Sequence, residues 1–147
     1  MMARALVALA FAGPLVLSTG WGSRAGGDAS APAWGALVYA AASRVCHQRP
    51  ERSFETAGAT WPVCARCAGL YLSAPIGALI AVARRQRGTR TPWRVLAAVA
   101  LPTAATIALE WAGAPMTNAL RAAAAVPLGA AVAMLVVDAA GARRGFK

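Results

Sequence analysis

The sequence predicts an all-α integral membrane protein: a helical bundle with three or four spanning helices, and a short interfacial helix ahead of a Cys/His motif. Three observations predict it. Hydrophobic residues make up 59% of the 147 residues and charged ones 14%, against roughly 45–50% and about 25% in an ordinary soluble domain. Apolar runs at 63–83, 93–111 and 119–140 each approach the ~20 residues that cross a bilayer. The fifteen basic residues, against five acidic ones, bracket those runs, as the loops of membrane proteins do. No strip of alternating aromatic and basic residues offers bases a stacking surface, so the positive charge does not point to nucleic acid. The partner implied is the lipid bilayer, and 1–147 reads as one membrane domain.

Taken in order, Arg4 precedes a mostly apolar stretch, and 1–21 reads as a signal anchor or a thin first transmembrane helix. Residues 22–62 form an outer linker, an interfacial helix and a Cys-His loop. Within them Pro32 suits the first turn of a helix running to Val45. That helix is too short to cross, and it would set Trp34 and Tyr39 at headgroup depth. Pro50 ends any helix, and a polar turn to Trp61 returns the chain to the membrane. Pro62 suits the opening of the next span. A start there is what gives the run enough length, which draws Cys64 and Cys67 into its first turn on one face. Pro75 and Gly77 predict a kink.

Arg84, Arg85, Arg87, Arg90 and Arg94 then crowd a short loop. A third span runs over 93–111, interrupted by Pro102 and carrying Glu110 near its far end. A turn at 112–118 leads to a fourth span at 119–140, with Arg121 in its first turn and Asp138 in its last, expected to pair with Arg143 or Arg144. Residues 63–140 are thus a three-helix membrane core and 141–147 a basic cytoplasmic tail. There is no internal repeat. Ala and Gly on the fourth span suit close contacts, within the chain or in a homo-oligomer.

Counting Lys and Arg in short loops puts the 84–94 loop and the tail in the cytoplasm. The Cys/His segment then faces outward. Glu110, Asn118 and Arg121 fall at the same depth. An ionisable residue within a span marks a function or a partner. Glu110 therefore reads either as the salt-bridge partner of Arg121 or as a ligand or proton acceptor in a shared pocket.

Cys46-His47-Gln48, Pro50, Arg52-Ser53-Phe54, Pro62-Val63-Cys64-Ala65-Arg66-Cys67, Gly69 and Tyr71 resemble the signature of a family of small bacterial membrane proteins, the domain of unknown function numbered 2085. Glu110, Asn118, Arg121 and Gly129 are similar to its later acidic–Asn–Arg–Gly stretch, where Asp is commoner than the Glu110 of this chain. The resemblance implies a multi-helix membrane fold in a bacterial inner membrane, with the outward Cys/His site towards the periplasm or exterior, and brings no activity with it.

All three cysteines and the one histidine lie between positions 46 and 67. As metal ligands, Cys46, His47, Cys64 and Cys67 match a Cys₃His count for zinc or another divalent transition metal. Glu110 or water are substitutes for His47. Arg52, Arg66, Glu110, Asn118 and Arg121 then surround the pocket, with Glu110 the candidate catalytic residue should a metal-bound water act. The alternative chemistry is thiol–disulfide exchange at Cys64–Cys67 with Cys46. A four-helix membrane protein with Cys-x-x-Cys at the outer end of a helix also resembles the quinone-coupled disulfide-forming enzymes, a resemblance that implies a quinone. A disulfide or metal staple is the structural alternative. A c-type haem is excluded because no histidine follows Cys67 at the required spacing. Serine-hydrolase and phosphate-loop patterns are absent. Arg52 and Arg66 also suit an anionic headgroup or phosphate, while Gly69 and Tyr71 suit helix packing and interface anchoring.

Overall fold

A computed structural model of the chain describes residues 33–56, 59–85 and 91–142. The elements are α1 (Ala33–Ala42), a 3-10 turn (Pro50–Arg52), β1 (Ser53–Thr56), β2 (Ala59–Cys64), α2 (Ala65–Arg85), α3 (Trp93–Trp111) and α4 (Asn118–Ala142). Helix dominates, and three helices among the described residues are long and apolar enough to cross a membrane: Ala65–Arg84, Trp93–Trp111 and Asn118–Gly141. The first candidate span at 1–21 lies outside the described residues, as does the linker that follows it.

The structure corrects the start of the first of these spans. Pro62, Val63 and Cys64 are not its opening turn but the end of β2, and helix begins at Ala65. The length needed to cross comes from the other end, where α2 continues to Arg85. In place of the expected polar turn, β1 and β2 form an antiparallel hairpin, pairing Ser53 with Cys64 and Glu55 with Thr60. The register slips between Ser53 and Glu55. Pro62, which has no N–H to donate, falls in that irregular stretch, as a proline in a sheet must. Phe54 and Trp61 pack edge to face across the hairpin, with ring centroids 5.5 Å apart. The hydroxyl of Tyr39 donates to the Thr60 carbonyl, so this phenol ties α1 to the hairpin.

α2 and α4 are the closest helix pair, and their approach needs glycine. A Cβ on Gly69 would overlap the Ala122 carbonyl oxygen, and one on Gly77 that of Ala130. Gly129 faces Leu70 and Ser73 in the same way. Small residues let helix backbones meet this closely in lipid, where dispersion contacts rather than water exclusion drive association. α3 is covered far less: 6% of its spanning window is buried within the described chain. The Thr103 hydroxyl ties it to α4 by donating to the Ala124 carbonyl at 2.8 Å. At the other end of the bundle, the Asp138 carboxylate accepts the backbone N–H of Thr91 at 2.8 Å. Its expected partners Arg143 and Arg144 lie outside the described residues.

Two helix termini set the stage for the site. α3 ends where Gly113 adopts φ 84°. The N–H of Ala114 then reaches the Leu109 carbonyl and that of Gly113 the Glu110 carbonyl, a closure that favours glycine at the left-handed position. The Thr117 hydroxyl accepts the Leu120 N–H, capping the start of α4. Glu110 and Arg121 are thereby fixed on either side of one short turn, facing the first turn of α2.

Candidate functional site

Three separate elements deliver the three sulfurs. Cys46 follows α1, its N–H held by the Ala42 carbonyl at 2.9 Å. Cys64 ends β2, and Cys67 lies in the first turn of α2. Their Sγ atoms all lie within 4.8 Å of one another. Cys46 is buried, against Ala42, Val63 and Ala68, and the Cys64 N–H donates to its sulfur at 3.1 Å. The Cys64 thiol is brought down from an ordinary 9.0 to about 5. A hydrogen bond from the Cys67 thiol is the main cause; burial opposes it, and the backbone N–H of Cys67, the Cys46 thiol and the Arg66 N–H assist. Such N–H groups at a helix start favour thiolate.

His47 stands outside this group. Cys46 turns inward and His47 outward, where it is exposed, because side chains of adjacent extended residues diverge. The sharp turn comes one residue later. Gln48 has φ 50°, and its amide Nε2 donates to the carbonyls of Tyr39 at 2.8 Å and Pro62 at 2.9 Å. That clamp joins α1 to β2 and holds Cys46 over Cys64.

Beside the sulfurs lies a carboxylate gripped by arginines. Glu110 Oε1 accepts from Arg121 Nε at 2.5 Å, and Oε2 from Arg66 at 3.1 Å. Arg52 approaches Oε2 at 3.8 Å. The Glu110 side chain is 9% exposed, those of Arg121 and Arg66 12% and 16%, and that of Arg52 44%. Arg66 also reaches the Thr106 hydroxyl at 3.5 Å. Asn118 accepts from Arg121 at 2.6 Å and donates to the Ser53 carbonyl at 2.8 Å, pinning the hairpin to α4.

These groups wall a cavity of about 400 Å³, lined by Val45, the three cysteines, His47, Arg49, Arg52, Arg66 and Arg121. Cys46, His47, Cys64, Cys67, Arg52, Arg66 and Arg121 from the sequence reading thus share one cavity, with Glu110 and Asn118 bracing the arginines from behind. Glu110 is not among the groups that converge on the sulfurs. Sequence reasoning missed Arg49, a loop arginine with no distinguishing neighbour, and the hydrogen-bonding role of Gln48. It also missed that Arg66 and Arg52 share the carboxylate of Glu110. Their places beside Cys67 and Pro50 gave depth but not side-chain direction.

The model of a family described as a predicted membrane protein, DUF2085, matches residues 46–135, from the first cysteine into α4. The chain belongs to that family. The DUF2085 match takes in the three cysteines, His47, Glu110, Asn118 and the four arginines of the site. An uncharacterized protein of Methanocaldococcus jannaschii is 46% identical over 43 residues, 29% of this chain and 28% of that protein. An uncharacterized protein of Methanothermobacter thermautotrophicus is 53% identical over 30 residues, 20% of this chain and 27% of that one. The matches therefore span under a third of the length of these curated relatives. Both are archaeal, which does not bear out the bacterial source implied by the family resemblance. No solved structure matches the chain.

Proposed function

We propose that this DUF2085 protein is a membrane metal-binding protein whose Cys46, Cys64 and Cys67 hold zinc or a similar thiophilic divalent ion. The observation that carries the reading is the mutual approach of three sulfurs from three elements to within 4.8 Å. Zn–S bonds of about 2.3 Å in a tetrahedron set sulfurs roughly 3.7 Å apart, so a closure of about 1 Å suffices. The fourth position faces the cavity, which His47 lines and from which its imidazole or a water can enter. Glu110, with both oxygens on guanidiniums, serves in this reading as an anchor for Arg66 and Arg121 and not as a ligand or proton acceptor. The excess of arginine at 84–94 supports an orientation with that loop cytoplasmic and the sulfurs outside. A reporter fused after residue 147 and active only in the cytoplasm checks it.

The test is metal content and free-thiol titration on anaerobically purified protein, before and after chelation. About one metal per chain, with thiols reacting only after chelation, is the expected result. Metal-free protein with freely reactive thiols sinks the proposal. One observation favours a second reading, thiol–disulfide exchange: the low-lying Cys64 thiol beside Cys67. Its signature is metal-free protein whose Cys64–Cys67 disulfide forms as an added quinone is reduced to quinol.

A further inference from the structure

The cavity wall is more cationic than the sulfurs and Glu110 require. Arg49, Arg52, Arg66 and Arg121 all line it, and among the described residues no carboxylate does. Around Glu110, three guanidiniums meet one carboxylate, a surplus of two positive charges. Arg49 has its own loose partner in Glu51, at 3.9 Å. Should a divalent ion sit on three thiolates, that cluster returns one negative charge, and among the described residues one positive charge of the wall still lacks a counterpart.

The arginines fall into two pairs. Arg66 and Arg121 form the floor: they are mostly buried and fixed by Glu110, Thr106 and Asn118. Arg52 and Arg49 form the mouth, 44% and 59% exposed, and their closest acidic contacts are 3.8 and 3.9 Å long. A preformed floor with adaptable donors at the rim is an arrangement for capturing an anion. A carboxylate offers two oxygens, which one guanidinium fork satisfies. Several forks around one cavity suit a phosphate, with at least three acceptor oxygens and more charge. A volume near 400 Å³ leaves room for more than the bare ion, within the ~300–1,000 Å³ typical of small-molecule sites. The cavity also lies where α2 and α4 begin and α3 ends, the level of lipid phosphates for helices that cross a bilayer.

We propose that this cavity binds a phosphate group, with Arg49 and Arg52 as the capturing donors and Arg66 and Arg121 as the floor. The group belongs either to a lipid headgroup or to a soluble phosphate compound. The site does not depend on a metal at the cysteines.

The full chain is purified in a maltoside detergent, which carries no phosphate, and freed of copurifying lipid; its metal content is measured, and inorganic phosphate is titrated calorimetrically against wild type and the Arg49→Gln/Arg52→Gln double variant. The Arg49 and Arg52 side chains are 59% and 44% exposed, and a thermal unfolding curve of the double variant checks that the fold is retained. In a second arm, nanodiscs containing phosphatidic acid are titrated with the same phosphate. Saturable binding by wild type, weakened about tenfold or more in the double variant, supports the proposal. Loss of phosphate binding in phosphatidic acid nanodiscs identifies the membrane as the source of the group, and unchanged binding identifies a soluble compound. Folded wild type that shows no saturable phosphate binding in the maltoside overturns the proposal, as does a double variant that binds equally well. Phosphate binding by metal-free protein sinks only the metal reading. Metal-loaded protein indifferent to phosphate sinks only this one.

Discussion

Gln48 holds a left-handed backbone conformation, φ 50°, that costs a residue with a Cβ about 1–2 kcal/mol, while its amide bridges the Tyr39 and Pro62 carbonyls. Gln48→Ala keeps the strain and loses both bonds, each worth about 0.5–1.5 kcal/mol net. Gln48→Gly loses the bonds but relieves the strain. Thermal unfolding in detergent should therefore rank wild type first, glycine second and alanine last; alanine equal to glycine would mean the turn is not strained. Cys64 carries a pH dependence of its own. Its folded value of about 5 lies below the ordinary 9.0. Between those values the unfolded chain holds a proton that the folded chain does not, so stability rises with pH across the window. The contribution is complete above pH 9 and lost as pH falls through about 5. Metal-free wild type should gain melting temperature from pH 5 to 9, and Cys64→Ser should lack that gain. None of this was legible in sequence. Cys46-His47 side by side suggested two ligands, but which neighbour turns inward depends on the backbone at Gln48.

At the scale of elements, α3 matches the span read from the sequence at 93–111, and α4 overruns its predicted ends by one or two residues. A long apolar run bounded by charge admits few alternatives. The hairpin escaped notice because β1 and β2 are only four and six residues long, and because Pro62 opens a helix as readily as it sits in a bulge. Glycine content predicted close packing without saying which helices meet. Gly77 now makes that specific: a side chain there collides with the Ala130 backbone, and a carbonyl cannot rotate away. Gly77→Ala should push α2 from α4 and lower stability by about 1–3 kcal/mol. Leu101→Ala, at a residue of α3 that is 67% exposed, should stay within about 0.5 kcal/mol. Chemical denaturation of both variants in the same detergent checks the contrast, and equal losses would place α3 in tighter company than the described chain shows.

For the whole molecule, Glu110 is the point where separate parts of the chain become one body. Arg52 comes from the loop, Arg66 from the start of α2 and Arg121 from the start of α4, and all three meet its carboxylate at the end of α3. Topology made half of this legible: alternating spans put Glu110 and Arg121 at one depth, whereas Arg66 and Arg52 joined through side-chain directions no hydropathy pattern carries. A carboxylate this enclosed contributes less as an isolated attraction than as the counter-charge that lets two mostly buried guanidiniums exist there. Glu110→Gln should thus cost about 3–5 kcal/mol, the usual penalty for leaving a buried charge unpaired. The same substitution made on top of Arg66→Gln and Arg121→Gln should cost far less, since the stranded charges are then gone. Because Asn118 links Arg121 to the hairpin, the single variant should also loosen the sulfur trio and lower its metal affinity. Unfolding and metal competition on the same variants separate the possibilities. Equal penalties in both backgrounds would mean that Glu110 acts alone, and an unchanged metal affinity would mean that the arginine cluster and the sulfurs are mechanically independent.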